Sequence, residues 1–365
     1  MPFPAARTFA LLALLAGCAD AASSAPPDAA APADVALDAS PDVPSPDASL
    51  DVAPADVAPD ASPPADVAAS PTLRIIVGPD DRGASLLAAI AGARRSVHLT
   101  MYLLSSQAVL DALIAARRRG VEVQVVLNRT IPGGMAVNMP AYDALTAAGA
   151  AVHWAPARYD FTHEKCAIVD GEEAWIMTMN ATNAGLTTNR EFLAVDRDPS
   201  DVRDAEAVFR ADFDGATFPT YAGPLVLSPL NSQRTLVALV SGAARTIDIE
   251  MESFEDRMTA TALIARARAG IAVRLVLSDT TPSASSMQSI QNVLAAGVRV
   301  VRVSAPYIHS KAIVVDGARA YVGSANLTYT SLTANRELGV VFDAPAEVRR
   351  VADVVARDFA AGTAF

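Results

Sequence analysis

Between residues 73 and 214 the chain alternates short, nearly continuous apolar runs with longer segments whose apolar positions recur every three or four residues. The runs 73–77, 96–103, 121–127 and 151–154 read as strands, as do 164–169, 173–178 and 190–195. The segments 84–94, 107–119, 140–149 and 201–213 read as helices. The strand runs are rich in Val, Ile and Leu without strict alternation, which predicts sheet covered on both faces. Gly120, Gly149, Gly270 and Gly297 each follow a helical segment, where a left-handed C-cap is expected.

The pattern is written twice. Ser96-Val-His-Leu-Thr-Met-Tyr-Leu103 aligns with Thr246-Ile-Asp-Ile-Glu-Met-Glu-Ser253 at an offset of 150, and Gly120–Leu127 aligns with Gly270–Leu277 at the same offset. From His163 onward the offset is 146, so four extra residues lie in the first copy's loop around Asn128–Pro140. So long a period excludes a solenoid and indicates a duplicated domain. The predicted fold class is α/β, with two similar halves at 72–218 and 219–365. Each is large enough to bury a core. A pseudo-twofold is expected to relate them, with a site between.

The first 71 residues change this picture only at the margin. Arg7, the apolar run Phe9–Ala16 and Gly17-Cys18 read as an export signal over 1–18, too short to span a bilayer as a mature helix. Leu15-Ala-Gly-Cys18 resembles the bacterial lipoprotein cleavage box, which implies lipidation of Cys18 and an envelope protein anchored to a membrane. Residues 19–71 contain only small, acidic and proline-rich quasi-repeats with no aromatic or basic residue, and are expected to form a disordered tether. Its reach lies between roughly 40 and 160 Å. That segment also holds ten Asp. Removing them from 40 acidic residues, and Arg7 from 29 basic ones, leaves 30 against 28, so the net charge of −11 shrinks to about −2 for the folded part. So balanced a chain argues against a strongly basic nucleic-acid surface. With Cys18 acylated, Cys166 has no intramolecular partner and reads as a small buried strand residue.

Candidate chemistry begins with the lysines. There are two, Lys165 and Lys311, and all other cationic side chains are arginine. Each follows a histidine by two positions: His163-Glu-Lys165, then four residues to Asp170-Gly171, and His309-Ser-Lys311, then four residues to Asp316-Gly317. Gly323-Ser324-Ala-Asn326 follows the second copy, Met177-Thr178-Met-Asn180 stands at the matching place in the first, and both then read Asn-Arg-Glu at 189–191 and 335–337. Residues two apart on a strand share a face, so each His and Lys point the same way. An ammonium is a compact point charge suited to a phosphate oxygen.

This double pattern resembles the phospholipase D superfamily, whose signature is a duplicated His-x-Lys-x4-Asp-x6-Gly-Ser-x-Asn, over nearly all of the folded chain. The resemblance implies a sandwich of sheets flanked by helices, a monomer that is an internal pseudo-dimer, and a phosphodiesterase needing no metal or cofactor. It implies catalysis by His163, Lys165, His309 and Lys311, with Glu191 and Glu337 orienting the imidazoles. His163 is expected to attack phosphorus as nucleophile and His309 to protonate the leaving oxygen. Asn180, Asn326, Thr178 and Ser324 are expected to contact or support the phosphate. Asp170 and Asp316, each followed by Gly, are expected to support the frame by holding a hairpin turn. Met177 in place of Gly is expected to narrow one side of the pocket. The implied substrate is a phospholipid, cleaved by hydrolysis or transphosphatidylation. Nuclease activity and a non-catalytic phosphodiester-binding role are the rival expectations.

Other polar residues carry plainer readings. His98 and His153 are expected to be structural. Arg158, Tyr159, Phe161 and Tyr307 precede the two motifs and are candidates for a substrate mouth. No zinc cluster, P-loop or dinucleotide-binding glycine motif occurs.

Overall fold

The computed structural model describes residues 72–218 and 220–365. The expected signal segment, Cys18 and the tether lie outside the described residues.

In the first half, β1 (Leu73–Gly78) and α1 (Ala84–Gly92) lead into three parallel strands. These are β2 (Ser96–Met101), β3 (Glu122–Leu127) and β4 (Ala151–Trp154), joined by α2 (Gln107–Arg118) and α3 (Met139–Ala147). Then β5 (Lys165–Val169), β6 (Glu173–Met177), the single-turn α4 (Asn183–Thr187) and β7 (Asn189–Asp196) complete a mixed sheet of order β1-β7-β6-β5-β2-β3-β4. Helix α5 (Pro199–Phe213) follows.

The second half repeats the course with β8 (Leu225–Ser228), α6 (Ser232–Ser241), β9 (Thr246–Met251), α7 (Arg257–Arg268), β10 (Ala272–Ser278), α8 (Ala284–Ala295) and β11 (Arg299–Val303). After the two-residue β12 (Tyr307–Ile308) come β13 (Lys311–Val315), β14 (Arg319–Gly323), α9 (Tyr329–Thr333), β15 (Glu337–Phe342), α10 (Pro345–Ala361) and β16 (Thr363–Ala364). Its sheet runs β16-β11-β10-β9-β13-β14-β15-β8.

The four C-cap glycines have φ between 82° and 93°, as expected of left-handed caps. The turns between β5 and β6 and between β13 and β14 put both central residues at positive φ: Asp170 and Gly171 at 56° and 64°, Asp316 and Gly317 at 57° and 63°. The Asp170 carboxylate accepts the backbone N–H groups of Arg94, Arg95 and Ser96 at 2.6–3.1 Å, and Asp316 does the same for Ala244, Arg245 and Thr246 at 2.6–2.9 Å. Burial pushes these carboxyls up, but the three N–H donors outweigh it and hold both below the usual range. The motif aspartates therefore fasten the start of β2 and β9. The one-turn helices α4 and α9, capped by Thr182 and Thr328, are too short to show a period in sequence, and were not expected.

One apolar core lies between the two sheets and takes residues from both, with α5 and α10 on the inner faces. Two outer cores lie under the remaining helices, one per half. Cys166 is buried in the inner core.

The halves are joined by exchanged charges. Arg190, from β7, pairs with Asp358 of α10 at 2.6 and 3.2 Å, and Arg336, beside β15, pairs with Asp212 of α5 at 2.7 and 3.3 Å. Each guanidinium also donates to a carbonyl in its own half, Gly78 or Ser228. The arginines of the Asn-Arg-Glu motifs are thus structural ties. Arg158 pairs with Asp212 at 2.8 Å, and Tyr159 bonds to and lies under Arg336, so both belong to this tie. His98 contacts Glu206 at 2.8 Å and stacks on Phe209, and His153 stacks on Phe213.

Each tie has a second buried carboxyl, Glu164 beside Asp212 and Glu250 beside Asp358. Burial, then the neighbouring Asp, pushes each up to about 8. Both therefore stay protonated in the folded chain to about pH 8, but lose the proton near 4.5 once unfolded. The stability they contribute is complete below pH 4.5 and is lost as pH rises through 8. Glu164→Gln and Glu250→Gln are expected to flatten that decline in urea unfolding from about pH 5 to about pH 9. An unchanged slope in both variants refutes the assignment.

Candidate active site

Strands β5 and β13 begin at the two lysines, with His163 and His309 two residues upstream on the same side. All four side chains are buried. Each ammonium donates to the carbonyl of its own histidine, Lys165 Nζ to His163 O at 2.5 Å and Lys311 Nζ to His309 O at 2.6 Å.

The acidic partners are exchanged between halves. His163 Nδ1 meets both oxygens of Glu337 at 3.0 and 3.1 Å. His309 Nδ1 lies 2.7 Å from Glu191 Oε1, off the ring N–H direction. Both imidazoles therefore turn their Nε2 atoms away from these carboxylates. Two bridges bring the strands close enough. Tyr307 and Ile308 of β12 pair with Asn189 and Arg190, and Thr162 pairs with Arg336.

Burial, then Lys165 and Lys311, holds the His163 imidazole well below its ordinary range, so it is neutral at neutral pH. Burial raises Glu337 to about 7 against the opposing effects of Lys165 and hydrogen bonds that include Ser324 and Asn335.

Two sequence expectations are corrected here. Thr178 was expected at the phosphate, but its hydroxyl donates to Glu191 Oε2 and accepts from Phe192 N at 2.9 Å. Ser324 is likewise held in the sheet, donating to Leu338 O at 3.3 Å and accepting from Leu338 N at 3.1 Å, and it helps hold the Glu337 carboxyl down. These hydroxyls hold the carboxylates that hold the histidines, and are fully buried behind them. Met177 was expected to narrow the pocket, but it lies in the outer core of the first half. Its counterpart Gly323 is explained by crowding: a Cβ there would meet Gly339 Cα and Tyr321 Oη, both at 2.5 Å. Tyr321 thus fills in the second half the space that Met177 and Leu193 fill in the first, where Trp175 stands in place of Tyr321.

Asn180 reaches the pocket, with Nδ2 3.5 Å from His309 Nε2 and a buried Oδ1 lacking a hydrogen bond. Asn326 Oδ1 accepts Ser253 N at 3.2 Å. Asp170 and Asp316 sit at the far ends of β5 and β13, about 16 Å from the lysines, and do not belong to the pocket.

One site residue was missed. Glu252 Oε2 lies 2.7 Å from Lys311 Nζ, 3.7 Å from His309 Nε2 and 3.4 Å from Asn326 Nδ2, and Glu252 Oε1 accepts Tyr307 Oη at 3.0 Å. Burial pushes its carboxyl up, but Lys311 and then His309 prevail and bring it down to about 2. The signal was a carboxylate at 252 against Tyr102 in the aligned repeats. A cavity of about 120 Å³ opens beside it, walled in part by Tyr307, Ser278, Thr281, Ser283 and Ser286.

Two imidazoles each backed by a carboxylate at Nδ1, two ammoniums and an amide around one pocket can bind a phosphodiester and exchange one of its ester oxygens. The family model "Cardiolipin synthase, PLD-like domain" matches twice, over 86–213 and 236–361. The chain belongs to the phospholipase D-like family. It is 25% identical to a cardiolipin synthase of Geobacillus kaustophilus, over 72% of this chain and 61% of that one. It is 22% identical to a probable cardiolipin synthase of Bacillus subtilis, over 74% and 62%. It therefore spans about three fifths of the length of these relatives. The fold is that of a phosphatidylserine synthase of Haemophilus influenzae, with TM-score 0.63, 9% identity and 80% and 87% of the two chains covered. A polyphosphate kinase of Porphyromonas gingivalis also aligns, with TM-score 0.61, 19% identity and 78% and 46% covered.

Met177→Ala is expected to cost about 2–5 kcal/mol by emptying the outer core. Thr178→Val is expected to cost about 1–3 kcal/mol because Glu191 and Phe192 N–H lose a partner, while Thr178→Ser recovers most of it. Urea unfolding measures both. A Val variant as stable as wild type sinks the support role.

Proposed function

We propose that this chain is a phospholipase D-type phosphodiesterase acting on the headgroup ester of a phospholipid, by hydrolysis or transfer to an alcohol, through a phosphohistidine. The observation that carries this reading is the exchanged wiring: each pocket histidine is oriented by a carboxylate from the other half, with a lysine beside it. The match to a cardiolipin synthase domain model favours a lipid substrate over a nucleic acid, as does the balanced charge of the folded part.

Lys165, Lys311 and Asn180 neutralise and bind the non-bridging oxygens, most strongly as charge builds in the transition state. His163 attacks through Nε2, the nitrogen its Glu337 contact leaves facing the pocket. His309 protonates the leaving oxygen and then takes a proton from the water or alcohol that resolves the intermediate. The two ammoniums supply the positive charge the step needs, so turnover is expected to withstand chelators.

With full-length protein and phosphatidylglycerol or phosphatidylcholine vesicles, headgroup release or transfer is expected with chelator present. Lys165→Arg and Lys311→Arg are each expected to lower turnover by about 100-fold or more, because a planar fork does not replace a point charge. DNA cleavage without lipid turnover overturns the substrate, and near-wild-type turnover in either Arg variant overturns the lysine roles.

We also propose that Cys18 carries the lipid anchor, which holds the site at an envelope membrane. Cys18→Ala is expected to move the protein from the membrane to the soluble fraction, and an unchanged distribution rejects the anchor.

A further inference from the structure

Duplication predicts two equivalent histidines, and the structure breaks that equivalence in charge at the position shared by Tyr102 and Glu252. Tyr102 and Glu252 correspond, each donating its backbone N–H at 3.1 Å to the residue between His and Lys, Glu164 O or Ser310 O. In the first half the Tyr102 ring meets His163 edge-on, centroids 4.6 Å apart, and Lys165 Nζ lies 5.0 Å from its centroid. In the second half the same place holds a buried carboxylate, 2.7 Å from Lys311 Nζ and 3.7 Å from His309 Nε2.

The surroundings of the two rings differ accordingly. His309 has Glu191 at Nδ1 and Glu252 on its Nε2 side, with Lys311 bonded to Glu252 and Tyr307 holding the other oxygen. His163 has Glu337 at Nδ1 and an aromatic edge beside it; burial, Lys165 and Lys311 favour its neutral form, and Glu252, which opposes them from the other half, does not prevail. A carboxylate beside a ring nitrogen favours imidazolium, and cations with burial favour the neutral ring. The cavity beside Glu252 is walled by second-half residues, with the hydroxyls of Ser278, Thr281 and Tyr307 among apolar side chains such as Phe254 and Leu277.

We propose that Glu252 is a positioning residue that divides the labour between the histidines, keeping His309 protonated with its Nε2–H available to the leaving oxygen so that His163 attacks. This rests on the phosphodiesterase reading above. In the first step the His163 Nε2 lone pair forms the N–P bond, the P–O bond to the leaving alcohol breaks, and the His309 Nε2 proton passes to that oxygen. In the second, water gives a proton to His309 Nε2 as its oxygen bonds phosphorus and the N–P bond breaks. His309 regains its proton and His163 its lone pair. Glu252 acts through His309 and Lys311 and need not touch the phosphate.

The test uses full-length protein. NMR titration of the histidine ring protons is expected to show the His309 midpoint falling by about one pH unit or more in Glu252→Gln, with Glu252→Asp closer to wild type. On phosphatidylglycerol vesicles, the alkaline limb of kcat against pH, which reports loss of the acid, is expected to move down by a similar amount in Glu252→Gln. Quenched turnover is expected to place the phosphoryl adduct on His163. In the exchange variant Tyr102→Glu with Glu252→Tyr, the adduct is expected on His309. A Glu252→Gln variant that loses rate with both the His309 midpoint and the alkaline limb unmoved shows a merely structural carboxylate and overturns the proposal. An adduct on His309 in wild type overturns it as well. Should the exchange variant not fold, the titration and pH profile decide alone. No turnover of any phosphodiester by wild type sinks the phosphodiesterase reading and this proposal together, whereas turnover with an unmoved limb sinks only the role of Glu252.

Discussion

Everything at the centre of this molecule depends on a carboxylate from one half holding a histidine of the other. His163 is fixed by Glu337 and His309 by Glu191, so neither half alone assembles an oriented imidazole. Such a contact fixes the tautomer and leaves Nε2 to face the pocket. It also demands that two strands from different sheets stay in register. The short pairing of β12 with β7, the bridge from Thr162 to Arg336 and the shared inner core supply that register.

Burying so much charge is costly, and the fold meets the cost by pairing. The Arg190–Asp358 and Arg336–Asp212 ties are buried, bidentate and exchanged between halves. Each also has a protonated carboxyl, Glu250 or Glu164, beside it at neutral pH. A guanidinium with one carboxylate and one neutral acid carries no net charge into the interior. In the adjacent pocket each ammonium donates to the carbonyl of its own histidine, and Lys311 also meets Glu252.

Duplication gives the pocket its twofold plan, and local substitutions adjust it without disturbing the plan. Trp175, Met177 and Leu193 on one side, and Tyr321, Gly323 and Gly339 on the other, pack corresponding positions by different means, all behind the sheet. That exchange is a matter of packing and leaves the chemistry alone. Tyr102 against Glu252 is of another kind. It changes the charge in front of the sheet, within reach of a ring nitrogen, and so bears on which histidine does what.

The sequence by itself determined the strands and helices, the duplication and the family. Long apolar runs, left-handed glycine caps and a repeated His-x-Lys at constant offset are local or periodic signals that need no partner to be read. It also determined the hairpin role of Asp170 and Asp316, because Asp-Gly between two strands is turn chemistry. Only the tertiary structure decided which carboxylate serves which histidine, since that crossing joins residues 174 positions apart. Only it showed that Thr178 and Ser324 serve Glu191 and Glu337 and not phosphate, that Met177 points away from the pocket, and that Arg190 and Arg336 reach across to Asp358 and Asp212. Strand period tells which face a residue takes, but not what the opposite sheet presents to that face. Glu252 lies between the two cases: the aligned repeats displayed it against Tyr102, but its meaning depended on a distance of 3.7 Å to His309 that no pattern along the chain contains.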